Sequence, residues 1–66
     1  MSKDERDLQF MYLLGRADAM ETARAWQALR DFLNGTPEQW QARVRVQCNY
    51  AYQIGYDEGW EAREKQ

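Results

Sequence analysis

The sequence predicts an all-α protein: two long antiparallel helices, about residues 4–33 and 37–63, forming a helical hairpin that dimerises into a four-helix arrangement. Three observations predict it. Between residue 4 and Leu33 there is no proline and one glycine, and Ala, Leu, Met, Arg and Gln dominate, all good helix formers. The turn residues Asn34-Gly35-Thr36-Pro37 are compressed into one short stretch. The apolar and small residues keep helical spacing on both sides of it.

The first helix opens with Asp4, Glu5 and Asp7, where a helix N-terminus favours negative charge. Leu8, Tyr12, Gly15, Ala19, Thr22, Trp26, Leu29 and Leu33 then alternate by four and three, a heptad seam with a small centre and large ends. Gly35 suits a left-handed position after the helix. Thr36 as N-cap, Pro37 at the first helical position and Gln39 in a Thr-x-x-Gln capping box start the second helix. Residues 34–36 are thus the interhelix turn of a single domain covering 1–66. In such a hairpin Gly15 faces Gly55 and Ala19 faces Ala51. The small face Val44, Cys48, Ala51, Gly55, Gly59 and Ala62 then allows a close crossing.

Phe10, Leu13, Ala17, Met20, Leu14, Ala25 and Phe32 fall outside that contact. Two helices exposing so much apolar surface are expected to pair with a second copy. Tyr12 to Glu21 is echoed forty residues later in Tyr52 to Glu61, with Tyr, Gly and the final Glu identical. Two packed helices selecting small and aromatic residues independently is the simpler account.

The totals narrow the function. At 66 residues the chain makes one small domain, which usually needs a staple or self-association. Cys48 is the only cysteine, so no internal disulfide forms, and a reducing cytosol is the expected compartment. No apolar run is long enough to span a bilayer. With 9 basic and 11 acidic residues, the net charge of −2 argues against a nucleic-acid coat or a polybasic anchor. There is no histidine to serve as base for Cys48 or to complete an acyl-transfer triad. The expected protein is therefore not an enzyme.

Arg45, Asn49, Tyr52, Tyr56, Trp60 and Arg63 lie within roughly an 80° arc of the second helix at about 100° per residue. Tyr and Trp stack on planar groups, Arg takes phosphates, and Asn reads a base edge. The stripe reads as a site for a nucleotide-like anion or as a dimer seam rimmed by arginines, and the two coexist where a pocket forms between subunits. Tyr52, Tyr56 and Trp60 would stack on the base. Arg45 and Arg63, with Arg16 or Arg24 from a neighbour, would neutralise phosphates.

The acidic pairs Asp18-x-x-Glu21 and Glu58-x-x-Glu61 each share a helix face. They are similar to the Glu-x-x-Glu and Glu-x-x-Asp pairs of the all-α nucleoside triphosphate pyrophosphatases of the MazG type. That resemblance implies a Mg²⁺-dependent nucleotide pyrophosphatase with Asp18, Glu21, Glu58 and Glu61 as ligands. The plainer reading is a solvated flank pairing with arginines, with no metal and no cofactor. In size and style the chain also resembles small helical proteins of bacteriophages and mobile elements. These inhibit a host protein or sequester a nucleotide immune signal between subunits. The resemblance implies a non-enzymatic homo-oligomer that sequesters such a ligand. The alternative is an inhibitor or adaptor docking on a host protein through exposed aromatics.

Overall fold

The structure, a computed structural model, describes residues 3–65. Residues 1–2 and Gln66 lie outside the described residues, as do the side chains of Lys3 and Asp4. The described chain is all-helical, with no strand: α1 Lys3–Met20, α2 Ala23–Leu33, α3 Glu38–Gln47 and α4 Asn49–Glu64.

Each expected long helix is broken once. The first break falls at Glu21, whose φ of 54° is left-handed. Its N–H still closes on the Ala17 carbonyl, ending α1, and Thr22 then caps α2 by accepting a hydrogen bond from the Ala25 N–H at 3.2 Å. Thr22, placed in the heptad seam by its spacing, is a helix start instead. The second break is at Cys48 (φ −118°, ψ 36°), which leaves the helical region for one residue. The expected turn at Gly35 is present, with φ 81°. The start of α3 shifts by one: Pro37, with ψ 143°, is its N-cap, and Thr36 offers its carbonyl to Gln41 Nε2 rather than capping with its hydroxyl.

These extra bends change the direction of the main helix pair. Gly55 abuts the backbone of Tyr12 and Arg16, and Gly59 abuts Arg16 and Ala19. Partner numbers rise together along α1 and α4, so the helices run parallel, not antiparallel as the hairpin required. Gly15 and Gly55 do lie at the close contact, whereas Ala19 meets Gly59 rather than Ala51. The contact has a local two-fold character. Gly15 packs on the Tyr52 carbonyl and Gly55 on the Tyr12 carbonyl. Tyr52 donates to Asp18 at 2.6 Å, and Tyr12 donates to Glu58. The forty-residue echo thus occupies equivalent places in two neighbouring helices.

The breaks also build a core within one chain. α2 folds back on α1, burying Leu29 with Ala25 and Phe32 against it. α3 packs on the first turns of α1. There Trp40 lies 5.2 Å from the Phe10 ring, under the Arg6 guanidinium, and donates its indole N–H to the buried Asp7 carboxylate at 2.7 Å. Arg43 approaches the same carboxylate at 3.9 Å. Phe10, Ala17 and Val44 are fully buried. Phe10 and Ala17, expected to be left for a second copy, are therefore covered by the chain itself.

Candidate functional site

The α4 stripe forms a continuous ladder. Tyr52 and Tyr56 stack with centroids 6.1 Å apart, Trp60 meets Tyr56 edge-on at 6.4 Å, and Arg63 lies over Trp60 at 5.0 Å. One side of each ring faces its neighbour, as i,i+4 spacing dictates. The far end of the ladder is already engaged. Arg63 also reaches Glu21 at 3.6 Å and the Ala19 carbonyl at 3.4 Å, so it ties α4 to the end of α1.

The near end opens into a groove of about 450 Å³. Arg45, Asn49 and Tyr52 form one wall, while Met11, Leu14 and Asp18 of α1 form the floor. Trp26 of α2 forms the opposite wall and is 36% exposed. Arg45 and Asn49 are exposed and make no ion pair or side-chain hydrogen bond among the described residues. The Tyr52 hydroxyl is held by Asp18. That hydrogen bond, then burial, then the Asp18 charge push its pKa up to about 12. The Tyr12 phenol is raised in the same way by its hydrogen bond to Glu58. Both phenols stay neutral donors at neutral pH and fix their rings.

Of the six stripe residues, Arg45, Asn49 and Tyr52 come together around the groove, and Tyr56, Trp60 and Arg63 continue along one ridge. Trp26, Met11 and Leu14 complete the groove and were not in the sequence-derived site. Trp26, placed by its spacing in the heptad seam, is instead part-exposed beside the groove, because the break at Glu21 sets α2 in a new direction.

The acidic residues do not converge. Asp18 binds Tyr52, Glu58 binds Tyr12 and Glu21 faces Arg63. No cluster of three potential metal ligands occurs among the described residues, so Asp18, Glu21, Glu58 and Glu61 do not assemble the metal centre that the pyrophosphatase resemblance implied. Arg16 and Arg24 lie away from the groove, around a separate trough. Among the described residues, no helix is long and apolar enough to cross a membrane. Comparison of the chain with protein-family models, curated proteins and solved structures finds no match.

Proposed function

We propose that this chain is a non-enzymatic, homo-oligomeric cytosolic binding protein that sequesters a planar, nucleotide-like anion. The observation that carries the reading is the groove between Trp26 and Tyr52, with the unpaired Arg45 and Asn49 at its mouth and the Tyr56–Trp60 ridge continuing from it. A base inserted between Trp26 and Tyr52 gains stacking on aromatic faces. Arg45 takes the phosphate, and Asn49 offers both a donor and an acceptor to the base edge. Sequestration of a host immune signal by a phage-type protein is the role such chemistry would serve.

Self-association is supported by the apolar groups still exposed: Val46 at 82%, Tyr50 at 61% and Ile54 at 52%. Tyr50 and Ile54 sit one turn apart on α4. The same face favours the second reading, an inhibitor or adaptor that docks on a host protein.

Native mass spectrometry of protein taken gently from its expression host tests the first reading. A panel of nucleoside mono-, di- and triphosphates and cyclic dinucleotides, followed by tryptophan fluorescence, completes the test. The expected result is an oligomer that quenches saturably with one class of nucleotide. Arg45→Ala and Trp26→Ala lose the response while keeping helicity and subunit number. A panel without any binder and a ligand-free mass would transfer the aromatic face to a protein partner.

A further inference from the structure

A second concavity, about 510 Å³, lies between the end of α1, the start of α2 and Ala62 of α4. Its chemistry differs from that of the groove. Leu13, Ala17, Met20 and Ala28 give it a floor without aromatic rings, and no carboxylate lines it. Two guanidiniums, Arg16 of α1 and Arg24 of α2, stand at its rim. Both are exposed, and neither is ion-paired among the described residues. The first turn of α2 opens on the same trough, adding the positive end of an 11-residue helix.

We propose that this trough binds a medium-chain carboxylate, its head between Arg16 and Arg24 and its hydrocarbon on the Leu13–Met20 floor. Two cationic groups and a helix N-terminus select a negative charge. The alanine- and methionine-lined floor selects an aliphatic body, because Thr22, the one uncharged polar side chain lining the trough, already gives its hydroxyl oxygen to the Ala25 N–H. An inorganic anion would leave that apolar surface uncovered. The alanines keep the trough open, since a longer side chain at Ala28 would fill it. The site is separate from the Trp26–Tyr52 groove and does not depend on it.

The test is calorimetric titration of the full chain with octanoate, with octanol and acetate as controls for tail alone and charge alone. Octanoate is expected to bind saturably at one site per chain, with each control at least about tenfold weaker. Arg16→Gln and Arg24→Gln should each weaken octanoate by about tenfold, and Ala28→Phe should abolish binding with helicity unchanged. Arg45→Ala, which removes the cation of the nucleotide groove, should leave octanoate binding intact, and this separates the two sites. No saturable heat, equal binding of octanol, or indifference to both arginine substitutions would overturn the proposal. Octanoate binding that vanishes as protein concentration drives association, with the arginine variants neutral, would assign the trough to a second copy.

Discussion

Gly55→Ala is the substitution whose outcome the helix pair determines most directly. A Cβ at this position would sit 2.9 Å from the Tyr12 carbonyl carbon and 3.1 Å from the Arg16 nitrogen, with the Tyr12 oxygen closer still. All three are backbone atoms, so no rotamer change relieves them. Ordinary contact begins at 3.4 Å, and α4 must therefore retreat by about 1 Å. A gap of about 0.5–1 Å forfeits a quarter to a half of each dispersion contact along the seam, and overpacking typically costs about 1–3 kcal/mol. Alanine returns up to ~1 kcal/mol of helix propensity. The net expectation is a loss of about 1–2 kcal/mol, out of a total of roughly 3–10 kcal/mol for a chain this size. Gly15→Ala meets the Tyr56 nitrogen at 2.9 Å and the Tyr52 carbonyl carbon at 3.0 Å, and should cost a similar amount. One separation of the helices accommodates both methyl groups, so the double variant should lose less than the sum. Urea unfolding followed by far-UV circular dichroism measures all three. A Gly55→Ala protein as stable as the parent, or strict additivity in the double variant, would refute the close parallel contact.

Asp7→Ala strands the buried Trp40 indole N–H and should cost about 1–3 kcal/mol, whereas Asp7→Asn keeps an acceptor and recovers most of it; urea unfolding monitored by tryptophan fluorescence separates them. The Tyr52 phenol, with a pKa raised from 10.0 to about 12, keeps its proton in the folded chain while the unfolded chain releases it. Its contribution is therefore complete below pH 10 and is lost as pH rises towards 12; Tyr52→Phe should flatten that fall in a pH series of unfolding curves. Glu21→Gly relieves a left-handed residue and should stabilise by about 0.5–1 kcal/mol, because the exposed pair with Arg63 contributes little. Thr22→Ala, one residue later, should cost about 1 kcal/mol by removing the α2 cap, and thermal melts of the two variants should shift in opposite directions.

The all-helical class and the turn at Gly35 were legible because helix formers and turn residues act locally. The breaks at Glu21 and Cys48 were not. Neither carries the glycine or proline that marks a helix end, and the left-handed Glu21 is tolerated because tertiary packing outweighs a local cost of about 1–2 kcal/mol. The candidate site divides along the same line. Its Asn49–Tyr52 wall follows from spacing on α4, and Arg45, at the end of α3, stays beside it because the break at Cys48 lasts a single residue. Its Trp26 wall and its Met11–Leu14 floor depend on where α2 turns, which only the packed structure contains.

The direction of the main helix pair shows how one correct contact concealed a wrong topology. Gly15 and Gly55 lie equally far from Gly35, so an antiparallel hairpin sets them at one level. They also differ by the forty residues of the echo, so a parallel pair in repeat register does the same. A second pair decides between the two: the hairpin joins Ala19 to Ala51, and the repeat register joins Ala19 to Gly59, as observed. The echo was therefore the informative signal. Only parallel helices keep corresponding repeat positions level along their whole length. There each Tyr reaches the acidic residue on the opposite helix, and each Gly receives the carbonyl beside that Tyr. A repeat of Tyr, Gly and an acid three residues apart is what a close parallel pair selects, because both helices must solve the same contact. The same geometry brings Tyr52 onto Asp18 and hence beside Trp26. The groove proposed to bind a ligand is thus a consequence of the parallel pairing, and loosening the Gly15–Gly55 contact should weaken binding there without any change to a groove residue.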